Sequence, residues 1–383
     1  MKRLLIVYFL LLLVSMPLHP GTFLVSILNE HNLSALLISP DKGKYRLLAD
    51  GKELYVAGEN DLVYVSMTGK KLAVRNQTAG LGFFTSVSFN AIDDDGQFSI
   101  RSVDPSMERG YYHGSINLSV DFGRIKVLNA VRGELYLAGV VEAEAGLGFH
   151  PEFYKAQAII SRTYLYGNLY RHADEGFNLC DEVHCQVYKG LLTGNRTVYE
   201  AVTGTSGMVL TYGDNNLITA AFHSNCGGQT VNSEEVWLVY RPYLRSVIDP
   251  YCRSRRSAVW QRRVDAADWG SYLADMGFER ISGHADNNIF NFSQHRRFVN
   301  YSIGSFSIPF SKIRSDWNLR SAFFDIEAQN PGKHILIKGR GHGHGAGLCQ
   351  EGAMEMAARG YNFIDILQFY YTDVKIIDIN DLP

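Results

Sequence analysis

The sequence predicts an α+β protein, with a β-rich N-terminal domain followed by a mixed α/β domain that carries strands, a central helix and C-terminal helices. Three observations predict it. Short β-branched and aromatic runs separated by glycine turns fill residues 21–125. One amphipathic stretch with helical spacing begins at Pro151. Two helix-length segments follow a glycine-rich run near the C-terminus. The 383 residues are 46% hydrophobic and 20% charged, a globular balance with enough apolar material for a sizeable core. A net charge of −2 lacks the basic footprint of a nucleic-acid binder, so no nucleic-acid partner is expected.

The first residues read as an export segment. Lys2 and Arg3 precede an unbroken apolar run from Leu4 to Val14. That run is short for a membrane span, which needs ~20 apolar residues, and it suits a signal-peptide core. Residues 1–20 are therefore expected to be a signal peptide or, at most, an N-terminal membrane anchor. The protein would then lie outside the cytoplasm, in the periplasm or cell envelope. In that setting disulfides are permitted. The five cysteines are an odd count, which leaves one free or gives some to a metal.

Along residues 21–125, strands are expected at Tyr45–Leu48, Glu53–Val56, Leu62–Val65 and Lys71–Val74, with turns at Asp50-Gly51 and Thr68-Gly69. Asp93-Asp94-Asp95-Gly96 is a further turn, and strands follow at Ser115–Val120 and Ile125–Val131. The second domain is expected over 126–383, with core motifs in 133–252 and 313–377 and a mixed segment at 253–312. Glu134–Val141 reads as a short helix that leads into Glu142-Ala143-Glu144-Ala145-Gly146. Pro151 opens a clearer helix that Gly167-Asn168 ends, with Phe153, Ala156, Ile160 and Thr163 on one apolar face. Residues 196–231 read as strand and turn. Five arginines in 253–263 read as a solvated linker, with a contact to an anionic polymer as the alternative. Asn/Ser-rich turns are expected around Asn287–Ser293, and helices at Gln350–Arg359, capped by Gly360, and Phe363–Tyr371.

Four segments carry candidate chemistry. Glu142 and Glu144 sit among small apolar residues, a setting that raises a carboxyl pKa and prepares a proton donor. On local chemistry they are equal candidates. Cys180, His184 and Cys185 place two thiols and an imidazole within six residues, so they read as zinc ligands, as a disulfide between the two cysteines or with another, or as free thiols. His223-Ser224-Asn225-Cys226-Gly227-Gly228 offers a Cys–His pair, but a Cys226–Cys252 disulfide is the favoured reading there, with His223 lining a polar cleft or hydrogen-bonded in the core. From Gly339 to Gly347 every odd position is glycine. If that run is extended, Arg340, His342, His344 and Ala346 share one face, and the bare opposite face lets a ligand or another backbone approach closely.

These pieces together resemble the stage II sporulation protein D family, which includes proteins called amidase enhancers. The resemblance rests on Glu134-Leu135-Tyr136-Leu137 through Glu144, on Lys155-Ala156-Gln157-Ala158 with Ser161-Arg162-Thr163-Tyr164, on Gln186–Gly190 with His223-Ser224 and Gly227-Gly228, and on Gly339–Gly345 with Gln350. It implies a lytic transglycosylase acting on peptidoglycan glycan strands, with Glu144 rather than Glu142 as the catalytic acid. It also implies zinc, in some members, at the positions of Cys180, His184 and Cys185. Arg340, His342, His344, His223 and Gln350 become substrate-binding candidates. The alternative is a non-catalytic glycan-binding protein that enhances a cell-wall amidase. This chain departs from the family pattern at Glu142-Ala143, Ala145, His342 and Cys349.

Overall fold

The computed structural model describes residues 21–191, 195–279, 289–329 and 333–382. The expected export segment therefore lies outside the described residues, as do positions 287 and 288 of the predicted turn. The chain forms two compact units that interleave in sequence: Met1–Glu144 with Asn168–Tyr199, and Ala145–Gly167 with Glu200–Pro383. The architecture is α+β, with strands dominating the first unit and most of the helices in the second.

The first unit holds β1 (Thr22–Ser26), β2 (Ala35–Lys42), β3 (Tyr45–Ala49), β4 (Lys52–Ala57), β5 (Val63–Thr68), β6 (Lys71–Arg75), β7 (Gly80–Phe84) and β8 (Ser86–Ala91). It continues with β9 (Gln97–Asp104), β10 (Arg109–His113), β11 (Ser115–Asp121), β12 (Arg124–Arg132), the helix α1 (Gly133–Ala145) and the short β13 (Leu179–Cys180). They make one sheet in the order β13-β1-β12-β11-β8-β3-β4 and another in the order β10-β9-β2-β5-β6-β7. The pairing is antiparallel except where β13 joins β1 in parallel. Val63 and Val65, Leu72 and Val74, Ile116 and Leu118, and Ile125 and Val127 are buried at alternate positions. That period of two gives each sheet an apolar face. The Asp50-Gly51 turn has both residues at positive φ, 47° and 79°, the geometry whose twist matches a tight hairpin.

The second unit is built on α2 (Pro151–Gly167), whose bounds match the sequence expectation. Phe153, Ala156, Ile160 and Thr163 are all fully buried on it. The helix α3 (Arg196–Thr203) begins in the first unit and ends in the second, which continues with β14 (Met208–Tyr212), β15 (Asn216–Leu217), β16 (Phe222–His223), α4 (Glu234–Trp237), β17 (Val259–Asp265), α5 (Ala266–Asp275), β18 (Asn300–Ile303) and β19 (Phe306–Pro309). It ends with α6 (Phe310–Asp316), β20 (Phe324–Gln329), β21 (His334–Arg340), β22 (Leu348–Cys349), α7 (Gln350–Ala358), α8 (Phe363–Tyr370) and β23 (Lys375–Asp378). A hydrophobic core within it groups Trp260, Trp269, Tyr301, Phe310, Phe324 and Ile337 around the β17-β21-β20 sheet.

Three expectations are corrected. Residues 196–231 open with a helix, α3, whose apolar positions Val198, Ala201 and Val202 are buried. The arginine-rich stretch is not a free linker. Its second half is β17, paired along its length with β21, where Trp260 and Val264 are buried while Arg262 and Arg263 are exposed, Arg262 lying over the Trp317 ring. Arg255, in the first half, pairs with Glu355 at 2.7 Å. Finally, α1 continues four residues past Val141, so both candidate glutamates are helical. Among the described residues no helix is long and apolar enough to cross a membrane.

Candidate active site and metal centre

Helix α1 buries Tyr136, Leu137, Val140 and Val141. Gly146, at φ +74°, ends it. Residues two positions apart on a helix are separated by about 200° around its axis, so Glu142 and Glu144 diverge. Glu142 lines a pocket of ≈ 410 Å³ with Leu135, Ala138, Gly139, Arg196 and Tyr199. The Glu144 Oε1 atom instead accepts the backbone N–H of Val187 at 2.9 Å. Burial pushes the Glu144 carboxyl pKa up, and the Val187 N–H only partly opposes it. The helix C-terminus, where backbone carbonyls leave negative charge, disfavours a carboxylate further.

Val187 is held where it is by its neighbours. Tyr188 packs its ring against Tyr136 at 4.9 Å between centroids and donates its hydroxyl to Asn129 Oδ1 at 3.2 Å. The Tyr188 N–H reaches the Asp181 carbonyl at 3.1 Å. Gly139 lets this segment lie against α1, because a Cβ there would stand 2.5 Å from the Gly190 oxygen and 2.8 Å from the Tyr188 ring. Asp181, which sequence reasoning did not single out, accepts the Leu28 N–H at 2.6 Å. Burial raises its pKa to about 6.

The raised pKa of Glu144 has a consequence for stability. Below the unfolded-state value the carboxyl is protonated in both states, and its burial carries no charge. As pH rises through the folded-state value, the folded chain must hold a desolvated carboxylate, and stability is lost. Glu144→Gln keeps an acceptor for Val187 without the charge. It is expected to match the wild type at acid pH, below the ordinary carboxylate range, and to exceed it increasingly as pH rises through and above that range. Denaturant titrations across pH check this, and a difference independent of pH would contradict it.

Cys180, His184 and Cys185 do come together, and His172 joins them. One ligand atom from each of the four lies within 4.8 Å of the others. Cys180 Sγ and Cys185 Sγ are each 3.8 Å from His184 Nδ1, and His172 Nε2 is 3.3 Å from Cys185 Sγ. The other ring nitrogen of His172 meets Glu175 Oε1 at 2.6 Å, which aims Nε2 at the thiols. None of the five cysteines is bridged, so the disulfide reading at Cys180/Cys185 does not hold in this structure. His172 lies eight residues before Cys180, outside any standard zinc spacing, and the sequence alone gave no reason to include it.

In the second unit the glycine run is a loop rather than an extended strand past Arg340. β21 ends at Arg340, and Gly341, Gly343, Gly345 and Gly347 all adopt positive φ, between 70° and 110°. Left-handed glycines curl the backbone, so Arg340, His342 and His344 do not share one face. The glycines do admit another backbone: Asn225 and His342 exchange N–H···O bonds of 3.0 and 2.8 Å, and a Cβ on Gly347 would stand 2.0 Å from the Ala221 oxygen. His344 uses both ring nitrogens on the fold. Nδ1 accepts the Ala346 N–H at 3.1 Å, and Nε2 donates to the Phe222 carbonyl at 2.9 Å. Burial lowers its pKa to about 4. His223 is buried, donates Nδ1–H to the Ala346 oxygen at 3.1 Å, and leaves Nε2 unpartnered among the described residues. His342 is exposed. Gln350 opens α7 and donates to Gln157 Oε1 at 3.4 Å. Arg340 lies elsewhere, over the Phe323 ring and 3.2 Å from Asp325, in a pocket with Arg253 and Arg296.

Comparison with known proteins bears on these groups. A family model described as Stage II sporulation protein matches residues 121–212, the span that carries Glu144 and the His172 cluster. Stage II sporulation protein D of Bacillus subtilis (strain 168) is 31% identical over 63% of this chain and 74% of its own length. The chain belongs to the stage II sporulation protein D family. A Brachyspira hyodysenteriae protein of uncharacterised function is 30% identical over 70% of this chain and 73% of its own length. A B. subtilis protein named amidase enhancer is 29% identical over 61% of this chain, which spans 39% of that protein.

The family segments have structural reasons here. Gln186–Gly190 is the strap that brings an amide to Glu144. In Ser161-Arg162-Thr163, the buried Arg162 donates to the Val202 and Met208 carbonyls at 3.0 and 3.2 Å. Thr163 Oγ1 accepts the Leu210 N–H at 2.9 Å, joining α2 to β14.

Proposed function

We propose that this chain works on the cell wall as a lytic transglycosylase that cleaves peptidoglycan glycan strands, with Glu144 as acid and then base. The supporting observation is the Glu144 carboxyl itself: half-buried, raised in pKa and accepting the Val187 backbone N–H. Protonated Glu144 gives its proton to the glycosidic oxygen leaving C1 of N-acetylmuramic acid. The oxocarbenium-like C1 is then attacked by the C6 hydroxyl of the same sugar, and Glu144 takes that hydroxyl's proton. The glycosidic C–O bond breaks, a 1,6-anhydro ring forms, and the carboxyl ends protonated as it began. Hydrolysis needs a second carboxyl to activate water. The divergence of Glu142 from Glu144 favours the internal hydroxyl instead. His342, His344, His223, Arg340 and Gln350 are the polar groups of the second unit proposed to bind glycan. An exported location in the periplasm or cell envelope follows from the same reading.

The two thiols and two imidazoles of Cys180, Cys185, His172 and His184 fit a closed tetrahedral zinc site. Zinc there would act as a structural clip. Cys185 stands two residues before Val187, so the clip would fix the segment that positions Glu144. His172→Ala is expected to lower zinc content and the melting temperature together, as metal analysis and calorimetry would show. Unchanged zinc content would remove His172 from the site.

The relative named amidase enhancer favours a second reading, a glycan binder that stimulates a cell-wall amidase. Purified peptide-free glycan and a cell-wall amidase separate the two. Release of soluble saccharide by the chain alone supports the transglycosylase. Acceleration of the amidase with no release by the chain alone supports the enhancer.

A further inference from the structure

A second cluster of donor atoms lies in the other unit and takes no part in the proposed reaction. Cys226 follows β16, Asp249 and Cys252 lie in the turn before β17, and Cys349 ends β22 as the residue that precedes α7. All four residues are 0% exposed. One ligand atom of each lies within 4.8 Å of all the others. Cys226 Sγ is 3.4 Å from Cys252 Sγ and 3.2 Å from Asp249 Oδ2.

These separations match metal ligands better than a disulfide. Two sulfurs bound to one zinc at ≈ 2.3 Å in a tetrahedron stand about 3.8 Å apart, whereas a disulfide needs about 2.05 Å. The surroundings are those of bound anions. Cys349 Sγ accepts the Cys226 N–H at 3.2 Å. Asp249 Oδ1 accepts the Tyr251 and Cys252 N–H groups at 2.8 and 3.3 Å, and Oδ2 accepts the Tyr370 hydroxyl at 3.0 Å. The buried guanidinium of Arg297 donates to the Cys226 carbonyl at 2.7 Å. Gly352 leaves the room this requires, because a Cβ there would stand 2.4 Å from Asp249 Oδ2 and 2.1 Å from the Tyr370 oxygen. Three buried thiols could pack as small apolar groups. A fully buried carboxylate among them calls for a cation.

We propose that Cys226, Asp249, Cys252 and Cys349 form a closed zinc site, separate from the His172 cluster, that fastens the turn before β17 and the start of α7 to the strand pair β16–β22. Three thiolates and one carboxylate in a tetrahedron select zinc over calcium or magnesium. The site has no open position for substrate, so its role is structural. It stands whether or not the transglycosylase reading holds.

The test uses the full chain with the first cluster removed. In C180S/C185S, metal analysis is expected to find one zinc per chain, cobalt exchange to give an intense thiolate-to-cobalt charge-transfer band, and C226S/C349S added to that background to abolish both. H172A/H184A gives the same cobalt readout should the cysteine variant fail to fold. A folded C180S/C185S chain that holds no zinc and gives no cobalt band overturns the proposal. So does a Cys226–Cys252 disulfide in its non-reduced peptide map.

Discussion

Glu144→Gln is expected to lower the release of anhydro-ended saccharide from peptide-free glycan by roughly 10²–10⁴-fold, the usual contribution of a positioned general acid–base group. The loss sits at the high end because one carboxyl serves both halves of the reaction. The amide keeps the Val187 hydrogen bond, so the shape of the site is retained while the transferable proton is gone. The same variant is expected to be no less stable than the wild type, which separates lost chemistry from lost folding. Glu142→Gln provides the contrast. Its side chain turns toward the pocket lined by Leu135 and Tyr199, and a change of only a few-fold is expected from it. Release rates on one glycan preparation, read beside thermal melts, check both. A Glu142→Gln variant that fails as badly as Glu144→Gln would show that the helix does not separate their roles.

Gly139→Val is expected to destabilise the first unit and to reduce activity beyond that. The new Cβ would meet the Gly190 carbonyl and the Tyr188 ring at distances that real Cβ atoms essentially never show. Overpacking of this kind costs about 1–3 kcal/mol, against which the helix propensity gained by losing glycine returns less than about 1 kcal/mol. The segment that must yield is the one carrying Val187, so the amide withdraws from Glu144. Chemical denaturation should show the lower midpoint, and the residual rate per folded molecule should fall with it. Wild-type stability in Gly139→Val would mean that the strap does not lie against α1 as described.

Local patterns were legible in the sequence wherever one short stretch determined them. Period-two burial, the Asp50-Gly51 hairpin and the Pro151–Gly167 helix all follow from spacing and turn chemistry within a dozen residues. The misreadings have one cause, which is that a distant partner decides the outcome. β17 is a strand because β21 pairs with its arginine-bearing backbone. The glycine run curls because Asn225 and Ala221 press against it from more than a hundred residues away. The site shows the same limit. On local chemistry Glu142 and Glu144 are equal and only the family resemblance chooses Glu144; α1, which runs through both, then sends the two side chains in opposing directions. Cys226 and Cys252 were read as a disulfide or a nucleophile, yet Cys226 is fully buried with its thiol pKa raised, which leaves no exposed thiolate to attack a substrate. Cys349 and Asp249, which complete that cluster, carry no sequence signal linking them to Cys226. Nor did His172 beside Cys180.

On the proposed mechanism Glu144 drives an internal attack and not hydrolysis. Mass spectrometry of peptide-free glycan digested in ¹⁸O-labelled water distinguishes the two. Expected are 1,6-anhydro-N-acetylmuramic ends that carry no label, formed by the wild type and not by Glu144→Gln. Reducing ends carrying ¹⁸O would contradict it.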